Sequence, residues 1–167
     1  MPNGFFERNA WKILAGLSLI LIVFGIGDFA AGGATYVTGE AVLFNSLTGT
    51  TWNELRVADP GAAKLIDYQV RSSGAILLVV GALSLAICVT ALRRGEPWAW
   101  RTMWIWPLWF VLFYVLIWIA QPDPRSGTPV PVISGAIFLV ISVVTLGLSY
   151  RRYVPGGPLR LRLSRER

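Results

Sequence analysis

Asp28 is the side chain in this sequence best placed to do chemistry. It is the only acid within four long apolar windows, 13–39, 74–92, 102–120 and 126–150. A carboxylate inside a bilayer is a functional-site candidate by default. Its depth tempers that, because it sits in the outer third of the first expected helix, about 10–31, close to headgroup level. Arg71 and Gln69 enter the next apolar segment at the same level. Three roles follow for Asp28. It is half of an ion pair with Arg71 that joins two helices, a titrating or cation-binding carboxylate opening on an outer cavity, or a group that reaches water.

The second concentration of chemistry is aromatic. The stretch "GEPWAWRTMWIWPLWFVLFYVLIWIAQP", 95–122, holds Trp98, Trp100, Trp104, Trp106, Trp109 and Trp118. On one continuous helix, Trp98, Trp106 and Trp109 share a side, and Trp100, Trp104 and Trp118 fall roughly opposite. That geometry argues against a single convergent indole box. Trp98 and Trp100 flank Arg101 and read as a boundary belt. Trp109 lies about 12 Å further along the axis, so it is either a knob between helices or the wall of a cavity. Pro107 frees the Met103 carbonyl and is expected to bend the helix. Trp104, Trp109 and Tyr114 therefore join Asp28 and Arg71 as ligand or ion candidates.

Other chemistry is missing from the composition. There is one cysteine, Cys88, and no histidine. Paired-thiol relays, Cys/His metal sites and Ser-His dyads all need residues that this chain lacks. Glu40, Glu54, Asp59 and Asp67 are scattered, with no spacing that argues for acid–base work. No catalytic residue, metal site or cofactor is expected, and the protein reads as non-enzymatic.

The elements that must position these residues follow from hydropathy. The chain has 167 residues, 54% hydrophobic and 14% charged, against about 25% charged in soluble domains. Its windows are apolar all round, whereas a soluble bundle needs polar faces at helical period. Roughly 20 apolar residues span the hydrocarbon. The expected fold is all-α, a four-helix transmembrane bundle in one domain, 1–150, with helices at about 10–31, 60–92, 97–120 and 131–150. The first apolar run exceeds the roughly 7–15 residues of a signal-peptide core, so it is expected to be retained.

Basic residues set the threading. Arg8 and Lys12, then Arg93, Arg94 and Arg101, then Arg151, Arg152, Arg160, Arg162, Arg165 and Arg167 fall on one side. Only Arg56, Lys64, Arg71 and Arg125 fall on the other. Both termini are therefore expected in the cytoplasm, with 151–167 a basic cytoplasmic tail able to touch anionic headgroups. The net charge of +6 is a topology signal and implies no nucleic-acid partner.

The long first outer loop carries "TTWNEL", in which Thr51 and Glu54 fit a capping box. A short interfacial helix from Trp52 to about 58 follows, with Trp52 as its anchor and Tyr36 and Tyr68 as further interfacial aromatics. In "ADPG", Asp59 is an N-cap and Pro60 the first helical residue. A helix over 60–92 measures about 50 Å. It must stand above the membrane or bend near Ser72-Ser73-Gly74. "QPDPRSGTPVP", 121–131, is an outer turn.

Small residues recur every seven positions: Ser18, Gly25, Gly32; Gly74, Gly81, Cys88; Gly135, Ser142, Ser149. Each set forms one stripe and predicts close helix approach with left-handed crossing. Ser84, Thr90, Ser142 and Thr145 are expected to bond to backbone or a neighbouring helix.

The layout, with "TGTTWNEL", "RSSGAILLVVGALSLAI" and above all "RRGEPWAWRTMWIWPLW", resembles small prokaryotic four-helix integral membrane proteins, broadly DoxX-like, over about 11–150. The resemblance implies a multi-pass protein of the bacterial cytoplasmic membrane. It carries over no functional residue, since that group has no single activity. The chain lacks the cysteines of quinone-linked thiol oxidases. It is similar to small multidrug transporters in having a helix 1 acid, but Asp28 lies nearer the outer end and the outer loop is larger.

The function expected is that of an accessory subunit or a binder of lipid or a small apolar ligand, with the outer loop as lid and helix 3 aromatics as wall. The alternative is a small oligomeric transporter or channel with Asp28 on the path. Partners are membrane lipids and either a second copy or another membrane protein.

Overall fold

A computed structural model describes residues 4–37, 41–120 and 130–154, with side chains omitted at 130 and 131. The chain order is α1 (Phe5–Ala31), a 3-10 stretch (Gly32–Val37), α2 (Ala41–Thr48), α3 (Trp52–Ala58), α4 (Pro60–Ile87), a π-helical turn (Cys88–Leu92), α5 (Pro97–Thr102), α6 (Ile105–Ala120) and α7 (Val130–Tyr153). Four helical spans are long and apolar enough to cross a membrane: Phe5–Val37, Pro60–Leu92, Pro97–Ala120 and Val132–Tyr153. Of the expected turn at 121–131, residues 121–129 lie outside the described residues, while 130 and 131 already belong to α7; the tail from 155 also lies outside the described residues. The last helix runs to Tyr153, past the expected end at 150.

The tightest pairing is α1 against α4, and glycine makes it possible. A Cβ on Gly25 would lie 2.8 Å from the Gly74 carbonyl oxygen, and one on Gly74 would meet the Phe29 amide. A Cβ on Gly81 would sit 2.8 Å from Ile22 Cγ1. All nine residues of the seven-spaced stripes are buried. Backbone-to-backbone approach supplies dispersion contacts where lipid removes the hydrophobic drive between helices. α7 packs on the other flank of α1, and α6 packs on α7. The lateral order is therefore α4–α1–α7–α6, which leaves α6 outermost.

One end of the molecule gathers the start of α1 and the end of α7; we call it the terminal pole. Its core includes Leu14, Leu92, Met103, Leu146 and Tyr153. The Tyr153 hydroxyl donates to the Leu92 carbonyl at 3.1 Å. Arg152 donates to the carbonyls of Glu7 at 2.7 Å and Arg93 at 3.1 Å. These tie the end of α7 to the start of α1 and the end of α4.

The third span is not one helix. It breaks at Met103–Trp104, between α5 and α6. The Met103 carbonyl, which Pro107 cannot bond, accepts from Trp106 N–H at 3.2 Å instead. The break re-aims the indoles. Trp100 and Trp106 both turn inward, 9% and 4% exposed, while Trp98, Trp104, Trp109 and Trp118 face outward. The two-face partition that a continuous helix implies, and the boundary-belt role for Trp100, are thus corrected. The Trp100 indole N–H donates to the Leu146 carbonyl at 3.0 Å.

The opposite end is the loop pole, and its caps are those the sequence encodes. Glu54 N–H donates to the Thr51 hydroxyl at 3.3 Å and Thr51 N–H to Glu54 Oε2 at 2.8 Å. Asp59 Oδ1 accepts from Gly61 and Ala62 N–H at 3.0 and 2.9 Å, and Pro60 begins α4. α4 is unbroken through Ser72–Gly74, and it packs against α3 and the 3-10 stretch. The loop holds α2 as well as the expected short helix. Trp52 is no interfacial anchor. It is buried with Phe44 and Ala63, against Tyr36, Leu55 and Ile66. Tyr36 stacks on Phe44 with centroids 4.7 Å apart, and Trp52 meets the Phe44 ring edge-on at 5.7 Å. Tyr68 is exposed, as an interfacial residue would be.

Candidate functional site at the loop pole

Arg71 is the hub that fixes this pole. Its Nε donates to Asp67 Oδ2 at 2.9 Å, one turn earlier on α4. Its Nη1 donates to the Phe29 and Ala30 carbonyls at 2.8 and 3.0 Å. A guanidinium over the carbonyl end of α1 is favoured by both charge-assisted hydrogen bonding and the helix dipole. The expected Asp28–Arg71 pair is corrected accordingly: the acid is Asp67, and α1 contributes backbone. Level along the membrane places both acids near Arg71, but the i, i+4 spacing on one helix brings Asp67 into contact.

Asp67 also accepts from the Gly33 N–H at 2.8 Å, through Oδ1. That bond anchors the 3-10 stretch. Gly32 turns the chain there with φ of 54°, a conformation open to glycine at little cost. Gly33 then lies flat against the Trp52 indole, where any Cβ would enter the ring. The Asp67–Arg71 pair, the glycine corner and the aromatic cluster therefore form one connected assembly.

Beside this assembly is a recess of about 460 Å³, lined by Ala31, Ala34, Trp52, Arg56, Pro60, Ala63, Lys64 and Asp67. Trp52 and Arg56 reach it from successive turns of α3. Pro60, Ala63, Lys64 and Asp67 share one face of α4. Among the described residues, Arg56 and Lys64 make no hydrogen bond or ion pair. The Asp67 carboxylate is already engaged by Arg71 and Gly33. Across the aromatic cluster lies a smaller, largely apolar recess of about 260 Å³, lined by Tyr36, Leu43, Phe44, Leu47, Thr48, Ile66 and Gln69. Glu54 caps α3 behind the first recess. The Thr51 backbone N–H, then the Thr50 and Thr51 hydroxyls, hold its carboxyl below the usual carboxylate range.

The other sequence candidates fall elsewhere. Asp28 is half-buried on α1, and among the described residues its carboxylate has no hydrogen-bond or salt-bridge partner. Trp104 and Trp109 are 37% and 44% exposed on the outermost helix. Trp109 lines neither of the two recesses described above. Tyr114 donates its hydroxyl to the Val132 carbonyl, pinning α6 to α7. Helix 3 aromatics do not wall the recess; Trp52 does. Thr90 and Ser142 bond to the Ala86 and Leu139 carbonyls as expected. The Thr145 hydroxyl and the Trp106 indole N–H are buried without a hydrogen-bond partner among the described residues.

Trp52, Arg56, Lys64 and Asp67 were not singled out as site residues by their chemistry. Their spacing carries the signal: Trp52 and Arg56 are four apart on a capped helix, and 60, 63, 64 and 67 follow the pattern of one helical face. No family model matches the chain, and no curated protein or solved structure matches it with significance.

Proposed function

We propose that this is a multi-pass membrane protein that binds an amphiphile, a membrane lipid or small lipid-like ligand, without chemical conversion of it. The observation that supports this most is the polar recess of about 460 Å³ walled by Trp52, with an apolar recess on the far side of the same aromatic cluster. A polar compartment beside an apolar one suits a molecule with a head and a greasy body. The basic flanks support a reading with both termini in the cytoplasm and the loop pole facing outward. The broadly DoxX-like layout fits residence in a bacterial cytoplasmic membrane, alone or as an accessory subunit.

Purification in mild detergent followed by mass spectrometry of retained lipid tests this. The wild type should carry a lipid in near-stoichiometric amount. Ala34→Phe, which fills the recess without removing a core side chain, should lose most of it. Wild-type protein that retains nothing would overturn the proposal.

A transporter or channel with Asp28 on its path is the second reading, favoured by one observation: Arg71 bonds Asp67, so Asp28 has no salt-bridge partner among the described residues. Asp28→Asn should then abolish pH-dependent flux in proteoliposomes while stability is unchanged. Lost assembly with no flux phenotype would reject it.

A further inference from the structure

We infer that the larger recess is an oxyanion site, built to take a phosphate- or carboxylate-bearing group on Arg56 and Lys64. This deepens the amphiphile-binding proposal and rests on it. Arg56 projects from α3 and Lys64 from α4, so two elements bring cations to one concavity. The one acid in its lining, Asp67, is held by the Arg71 guanidinium and the Gly33 N–H. Its charge is offset from behind, and although Arg56 lies within electrostatic reach of it, neither cation forms a salt bridge with any carboxylate among the described residues. Glu54, the nearest acid on α3, is turned to the start of its own helix by Thr50 and Thr51.

The two cations are chemically distinct partners. Arginine offers a planar fork that matches a carboxylate or phosphate edge, and lysine adds a compact charge. Trp52 and Ala63 add an apolar edge to the recess, beside which both cations stand exposed and free to reach a charged group. A zwitterionic or cationic head gains little here. The shared chemistry is the oxyanion, whether it comes from an anionic lipid headgroup or from a soluble phosphate ester.

The test uses the full chain in nanodiscs and two probes. One is phosphatidylglycerol, titrated against a phosphatidylcholine background and read by native mass spectrometry. The other is soluble glycerol phosphate, read by calorimetry. The wild type should bind one of them, and which one identifies the source. Arg56→Gln or Lys64→Gln should each weaken binding about tenfold, and the double variant about a hundredfold. Neither side chain makes a hydrogen bond or salt bridge among the described residues, so the variants should melt close to the wild type. Undiminished binding by the double variant would overturn the inference. So would the absence of binding to either probe. In that case, phosphatidylcholine retained by the wild type and lost in Ala34→Phe would leave the amphiphile proposal standing. Loss of every lipid would end both.

Discussion

The two poles of this molecule are held together by the same device and put to different use. At the terminal pole, Arg152 and Tyr153 donate to carbonyls on α1 and at the end of the π-helical turn, and the space between is filled by Leu14, Leu92, Met103 and Leu146. At the loop pole, Arg71 likewise donates to carbonyls at the end of α1. Yet its neighbours form a capped, glycine-cornered assembly with a recess on each side of an aromatic cluster. A filled pole fixes the bundle; a pole with space can hold something else. The difference teaches that polar ties between helices mark structure, while unpartnered cations beside a concavity mark the candidate site.

That contrast can be broken most directly at Gly33. Gly33→Val drives side-chain atoms into the Trp52 indole, an overpacking cost of about 3 kcal/mol. Hydrogen exchange should rise strongly over 41–58 and stay unchanged near Leu92 and Tyr153. Equal rises at both ends would mean that the poles are a single cooperative unit. Next in size is a paired measurement. Arg71→Gln removes charged bonds to two carbonyls and an acid, worth about 2 kcal/mol. Tyr153→Phe removes one neutral bond between helices, worth about 0.6 kcal/mol. Denaturation in mixed micelles should rank them in that order, with ligand retention falling only for Arg71→Gln.

The smallest effect is a pH dependence confined to α3. Glu54 is held below its usual range by the Thr51 backbone and two hydroxyls, so its contribution is present above the unfolded value and vanishes as pH falls through the lowered folded one. Exchange in α3 should therefore quicken under acid, and Glu54→Gln should remove that dependence. An unchanged acid profile in the variant would assign it to another group.

Much of this fold was legible in the sequence because it is written in local rules. Hydrophobic length marked the four spans, the spacing of small residues marked the helix contacts, and Thr51, Glu54, Asp59 and Pro60 marked two helix starts. The candidate site was less legible. Asp28 drew attention because an acid in an apolar window is conspicuous, whereas Asp67 and Lys64 look like ordinary polar residues near a helix start. Their significance comes from α2 and α3 folding back over α4, a tertiary event with no local signature. The indoles failed for a different physical reason. Angles of 100° per residue hold only along an unbroken helix, and the break at Met103–Trp104 resets the count before Trp106. Pro107 signalled a bend but not which turn would open.

Among the described residues, five side chains that tie one helix to another end on main-chain oxygens: Arg71 on Phe29 and Ala30, Trp100 on Leu146, Tyr114 on Val132, Arg152 on Glu7 and Arg93, Tyr153 on Leu92. A main-chain oxygen is present whatever residue bears it. Mutational tolerance should therefore be lopsided: the accepting positions are free to drift under lipid-facing and packing pressure alone, while each donor is hard to replace. In a chain of descendants, the bundle's wiring would be inherited through five donor side chains, with their acceptors leaving almost no trace in the alignment.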